Sequence, residues 1–133
     1  MSFDVFLVSF ADQNASSVPR SIVQNAFGEF VHWKEDTGQT KFGECDGSTI
    51  YLSLVKTDEN LVDCILINRP IADERFWKAI YEIMKNSNMA FLFPGGKGPI
   101  IANASFAKHL PISLGTPIIV ATGREIVEEI ERP

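Results

Sequence analysis

Ile65-Leu66-Ile67-Asn68-Arg69-Pro70-Ile71-Ala72-Asp73-Glu74-Arg75-Phe76-Trp77-Lys78-Ala79-Ile80-Tyr81-Glu82-Ile83-Met84-Lys85-Asn86 decides the fold. Its first residues continue an apolar run from Cys64 and read as a buried strand. Asn68-Arg69-Pro70 turns a corner, since proline fixes its own φ and keeps the residue before it out of the helical region. Phe76, Trp77, Ile80, Tyr81, Ile83 and Met84 then recur at helical spacing. At 100° per residue they cover an arc of roughly 160°, with Glu74, Arg75, Lys78, Glu82 and Lys85 on the other side. Asp73 and Glu74 suit the positive end of the helix dipole. Such a helix is stable when its apolar face lies on something, and the apolar runs around it supply a sheet.

Outward from this stretch, Ser2–Phe10 reads as a central strand covered on both faces. Ala11–Ser17 reads as a polar loop. A short helix follows near Pro19, with Ser16 or Ser17 available as cap, Ile22, Val23, Ala26, Phe27 and Phe30 as its apolar stripe, and Gly28 to end it. Four strands are predicted in Phe30–Glu35, Gln39–Glu44, Thr49–Val55 and Leu61–Asn68. Asp36-Thr37-Gly38, Asp46-Gly47 and Thr57-Asp58-Glu59-Asn60 are the predicted turns between them. Beyond the long helix come short strands at Ala90–Phe93 and Ile100–Ala102. Ser105–Leu110 reads as one or two helical turns stopped by Pro111. A buried strand in Thr116–Ala121 precedes a last helix, opened by the capping box of Thr122 and Glu125, with Ile126, Val127 and Ile130 inward. The order predicts one α+β domain over residues 1–133: a largely antiparallel mixed sheet with helices packed mainly on one face.

The chain has 133 residues, 45% hydrophobic and 22% charged, enough to bury a core without a metal or disulfide. Ten phenylalanines are expected to carry much of that core. The net charge of −5 argues against a nucleic-acid binder, which needs a basic footprint. Glu29–Glu74 holds ten acidic and four basic residues, whereas Arg75–Arg124 holds six basic and one acidic. Acidic and basic faces follow only if the fold segregates those segments. No apolar run reaches the length of a membrane span. Met1-Ser2-Phe3-Asp4 carries no basic leader region, so a cytoplasmic location is expected. Cys45 and Cys64 lack metal or redox spacing and read as free thiols.

No stretch has the spacing of a catalytic or metal signature, so no catalytic residue, cofactor or metal is assigned. His32 and His109 lack ligand partners at metal-binding spacing. The loop Pro94-Gly95-Gly96-Lys97-Gly98 offers backbone amides and one cation. It lacks the spacing, and the helix that should follow, of a phosphate-binding loop, and reads first as a tight connection. Arg69 reads as half of a structural ion pair or as a ligand-facing group at a strand end. Asn68, Arg69, Gly95, Gly96 and Lys97 are therefore the candidates for a small-molecule or anion site, or that of a minor enzyme. Asp58, Glu59 and Asp63 are the candidates for attracting a basic protein, and Trp33 for anchoring it. A second copy of the chain burying Trp33 or a strand edge is a further alternative.

Ser2-Phe3-Asp4-Val5-Phe6-Leu7, Asn68-Arg69-Pro70 with Phe76-Trp77, Phe93-Pro94-Gly95-Gly96 and Thr122-Gly123-Arg124-Glu125-Ile126-Val127 resemble a group of small bacterial proteins, some of them similar in kind to the immunity proteins of polymorphic toxin systems. These motifs are structural corners and bring no active site with them. Together with the acidic Glu29–Glu74 half and the lack of a catalytic signature, the resemblance leads to the expectation of a non-enzymatic protein-binding module, of which an immunity-type inhibitor acting by steric occlusion through an acidic surface is one form.

Overall fold

The computed structural model describes residues 3–41 and 47–132. Cys45, Glu44 and the Asp46 side of the predicted Asp46-Gly47 turn lie outside the described residues, as do the ends of two predicted strands at 1–2 and 42–44. The strands are β1 (Asp4–Ala11), β2 (Asn14–Ala15), β3 (Val18–Pro19), β4 (Val31–Lys34), β5 (Thr37–Thr40), β6 (Thr49–Val55), β7 (Asp58–Asn68), β8 (Met89–Leu92), β9 (Ile100–Ile101) and β10 (Ile118–Ile119). The helices are α1 (Arg20–Phe27), α2 (Glu74–Lys85) and α3 (Gly123–Glu131). Short 3-10 turns occupy Gly28–Phe30, Ala104–His109 and Ile112–Leu114. The sheet runs β10-β9-β8-β1-β7-β6-β5-β4, with β2 folded back on β1 and β3 paired to β7. Among the described residues only β9 and β10 pair in parallel, and every other pair is antiparallel. The architecture is α+β, as the alternation of segments predicts.

β1 and β7 lie side by side at the centre, Val5 opposite Ile67 and Leu7 opposite Ile65. These four side chains are fully buried under α2, together with Phe76, Ile80 and Ile83. Burying one such side chain is worth about 1.5–3 kcal/mol, so this face holds the molecule together. Six rings run through it in sequence, Trp33, Phe27, Phe76, Trp77, Phe91 and Phe93, with successive centroids 5.5–6.2 Å apart. Those spacings suit tilted and edge-to-face aromatic contact. At the β4 edge Gly38 makes room for the row's first ring: a Cβ there would stand 2.8 Å from the Trp33 ring.

The opposite face is only partly covered. Ala90, Ile101, Phe106 and Leu110 form a second small cluster there, so the 104–110 segment shields one end. Across the rest, Leu92, Phe6, Leu66 and Tyr51 form a cross-strand row, with Tyr51 45% exposed. β1 is therefore central but not covered on both sides, because α1, α2 and α3 all pack on the Val5–Leu7 face.

Other expectations need correction at the turns. The β4–β5 turn is Glu35-Asp36, and Thr37-Gly38 belong to β5. The β6–β7 turn is Lys56-Thr57, and Asp58-Glu59-Asn60 extend β7 past a bulged stretch of β6. Neither Ser16 nor Ser17 caps α1; Pro19 occupies that position with no side-chain bond, and Val18-Pro19 pair with β7 instead. The polar loop after β1 contains β2. β10 is an edge strand rather than a buried one, and its Ile119 is 55% exposed. Among the described residues, no helix is long and apolar enough to cross a membrane.

Candidate functional site

The hairpin tips β4–β5 and β6–β7 lie at one end of the sheet, joined by Arg20. The first residue of α1 sends its guanidinium between them. One terminal nitrogen donates to the Glu35 carbonyl at 2.6 Å and the other to the Glu59 carbonyl at 3.4 Å. Glu35 accepts this arrangement with a left-handed φ of 57°. The guanidinium thus bonds backbone oxygens and leaves the neighbouring carboxylates alone. Glu35, Asp36, Asp58 and Glu59 are all exposed, and none makes an ion pair among the described residues. Asp58 uses one oxygen to accept from the Asn60 amide at 2.9 Å, and Asp36 takes the Thr37 hydroxyl at 3.4 Å. Asp63 is half-buried farther along β7. The structure places Glu35 and Asp36 at the same end as Asp58 and Glu59 and sets the third predicted acid, Asp63, apart from them. Their spatial partner Arg20 lies in a distant segment and carries no local signal.

Trp33 does not stand out from this end as an anchor. It is half-buried, its ring 6.2 Å from Phe27, and its indole Nε1 is buried without a hydrogen-bond partner.

Asn68, Arg69 and the glycine loop lie at the other end, on either side of the start of β1. Asn68 donates to the Asp4 carboxylate at 2.9 Å, which fastens β7 to β1. Arg69 is exposed, with a φ of 54°, and its carbonyl accepts the Ser48 hydroxyl at 2.6 Å. Its guanidinium makes no ion pair among the described residues, so the structural pairing read from the sequence is not found there. Gly95, Gly96 and Lys97 line a pocket of about 50 Å3 with Phe93, Ile118, Glu129 and Arg132, and neither Asn68 nor Arg69 reaches it. The Gly96 amide already donates to the Phe93 carbonyl at 3.2 Å. That volume suits a small ion or a few waters, below the roughly 300 Å3 of an organic-ligand pocket.

A further cleft lies between α2 and α3, outside the candidate residues named from the sequence. It encloses about 680 Å3, and Trp77, Tyr81, Val127, Ala72 and Ala121 give it an apolar floor. Glu74, Lys78 and Glu82 rim it from α2 and Arg124 from α3. Its apex is Gly123, packed on the α2 backbone so closely that a Cβ would stand 2.5 Å from the Trp77 carbonyl oxygen. Both helices are capped beside it. Asp73 accepts from the Arg75 amide at 2.8 Å, and Thr122 from the Glu125 amide at 3.2 Å. The Ala121 amide donates to the Glu125 carboxylate, so Glu125 reaches back one residue beyond the Thr122 amide that the predicted capping box would use. The Arg75 guanidinium, hydrogen-bonded to the Asp73 side chain, holds that carboxyl below the usual carboxylate range. The one sequence signal for the cleft was a glycine directly after a cap, where a helix usually gains from a side chain.

Among the described residues no three His, Cys, Asp or Glu groups gather as a metal site requires. His32 is exposed on β4. His109 is structural, since its Nδ1 accepts the Asp12 amide at 3.1 Å and its carbonyl accepts the Gln13 amide at 2.9 Å. Cys64 is a half-buried free thiol, its pKa pushed up by burial and then by neighbouring Asp63. Compared with protein families, curated proteins and solved structures, the chain matches none of them.

Proposed function

We propose that the chain is a non-enzymatic protein-binding module, an immunity-type inhibitor that occludes a basic partner protein through its acidic hairpin tips. The observation that carries this reading is Arg20 on the Glu35 and Glu59 carbonyls. It fixes two tips as one rigid unit while four exposed carboxylates keep their charge for an incoming surface. Charges of this kind act over about 8 Å at physiological salt and raise encounter rates more than final affinity. The same end also carries Lys34 and Lys56, so its field is patterned rather than uniform.

The test starts with capture from the source organism's lysate at low and high salt, which names candidate partners. Stopped-flow association with the purified candidate then compares the parent with Asp58→Lys/Glu59→Lys and with Glu35→Lys/Asp36→Lys. The expected result is a fall in association rate of about tenfold at low salt and a flatter salt dependence. Equal rates and equal salt slopes would remove the tips from the interface.

A further inference from the structure

We propose that residues 104–110 form a pH-sensitive flap over one end of the open sheet face, latched to the β1–β2 turn by the His109 imidazole. The flap is the 3-10 turn Ala104–His109 with Leu110, opened by Asn103, whose side chain accepts from the Ser105 amide at 2.9 Å. Its Phe106 and Leu110 cluster with Ala90 of β8 and Ile101 of β9, and Phe10 of β1 packs against them. Ala90 and Leu92 share a face of β8, and Phe6 and Phe10 share a face of β1, since side chains two apart on a strand point the same way. The flap therefore covers the continuation of the apolar row that the rest of this face leaves partly open.

Two bonds fasten the flap to the turn, and both end on His109. The Gln13 amide donates to its carbonyl at 2.9 Å, and the Asp12 amide donates to its Nδ1 at 3.1 Å. The turn depends on such support. Asp12 and Gln13 are both left-handed, with φ of 50° and 67°, where residues other than glycine are held at a cost. The imidazole lies beside the Phe106 ring, centroids 6.1 Å apart, and is 33% exposed, so solvent protons reach it.

A ring nitrogen that accepts an amide proton carries no proton of its own. Protonating an imidazole puts a hydrogen on both nitrogens, so Nδ1 turns from acceptor to donor. The Asp12 amide would then face an N–H, and that bond is lost. The Asp12 carboxylate stands 3.5 Å from the same nitrogen and is the acceptor left for the new proton. Of the charged groups around the ring, Asp12 comes from the turn and Lys108 is the neighbour of His109 in the flap; β2, β8 and β9 contain no titratable residue. Acid thus exchanges a backbone latch for a pair with a carboxylate that is 92% exposed, and exposed pairs are weak. The flap is then free to lift from Ala90 and Ile101.

Amide exchange followed by NMR at pH 7.5 and 5.5 tests this, with each rate compared with its intrinsic value at that pH so that only protection is read. The reporters are the amides of residues 12, 13, 106 and 110. In the parent their protection should fall about tenfold at the lower pH, as loss of one hydrogen bond allows. His109→Gln keeps an acceptor oxygen that does not titrate, and its protection should be equal at the two pH values. Asp12→Asn should lose more than the parent, having no carboxylate to receive the imidazolium. His32→Gln removes the other histidine and should behave as the parent. The amides of Leu7 and Ile65 in the central strands should stay protected throughout, which separates flap opening from unfolding. Equal protection of the parent at both pH values, or an equal acid loss in the parent and in His109→Gln, would overturn the proposal.

Discussion

Replacing Gly123 by alanine sets two effects of opposite sign against each other, and the geometry decides between them. Gly123 is the first residue of α3 and is not in the left-handed region, so alanine can adopt its backbone. On local grounds the substitution should then stabilise by about 0.4–1 kcal/mol, by restricting the unfolded chain and favouring the helix. The new methyl, however, would stand 2.5 Å from the Trp77 carbonyl oxygen, 2.6 Å from its carbon and 2.9 Å from the Lys78 nitrogen. All three atoms belong to the backbone of α2, which cannot rotate aside. α3 must retreat by about 1 Å, and it carries the fully buried Ile126 with it. Overpacking of this kind costs about 1–3 kcal/mol. The net expectation is a loss of about 0.5–2 kcal/mol, or about 2–10 °C in Tm for a domain of this size. Urea unfolding followed by tryptophan fluorescence and far-ultraviolet circular dichroism measures it, with Arg124→Ala as an exposed control expected within about 0.5 kcal/mol of the parent. A Gly123→Ala protein as stable as the parent, or more so, would show that α3 does not rest on the α2 backbone and would take the apex of the cleft with it.

Asp73→Ala should cost about 1 kcal/mol at neutral pH by removing the cap of α2. Because the Asp73 carboxyl is held below its unfolded value, its contribution is complete above about pH 4 and disappears as pH falls through the lower folded pKa, so the urea midpoints of parent and variant should converge in acid. Gly28→Ala should destabilise by about 1–3 kcal/mol although its methyl would meet no atom within 4 Å, because φ 62° with ψ −148° suits glycine alone; thermal unfolding that shows no loss would contradict the backbone assignment. In a Cys45→Ser background, burial and then Asp63 should keep Cys64 protonated at pH 8, and an aromatic disulfide reagent should modify it at least about tenfold more slowly in buffer than in urea.

The arc on α2 was legible because one helix face and one buried layer share a single period. Phe76, Trp77, Ile80, Ile83 and Met84 are all buried as their spacing requires. The two caps were legible for a similar reason, being local bonds between near neighbours. Turns were less so. Thr37-Gly38 has turn composition, yet it is strand, because the glycine makes room for a tryptophan ring from the neighbouring strand. Asp58-Glu59-Asn60 is polar because β7 runs beyond the shelter of the helices, and polarity in an exposed strand looks like a loop. Ile118-Ile119 reads as core, yet it closes the sheet as a two-residue edge, with Ile119 turned outward. The cleft depends on where one helix crosses another, and a sequence records that only through the missing side chain at Gly123.

Arg20 braces the hairpin tips without pairing with their carboxylates. An arginine among four carboxylates would ordinarily pair with one of them, ordering a side chain for little net gain. Here the guanidinium fork is held by two carbonyls presented at the ends of strands, one of them at a left-handed residue. Such charge-assisted bonds to backbone fix the position of whole hairpins rather than of a single carboxylate. The cleft is built where α3 meets α2, away from the tips. The two features draw on different parts of the chain, so charge reversals at the tips should leave the packing of α3 on α2, and with it the urea midpoint, within about 0.5 kcal/mol of the parent.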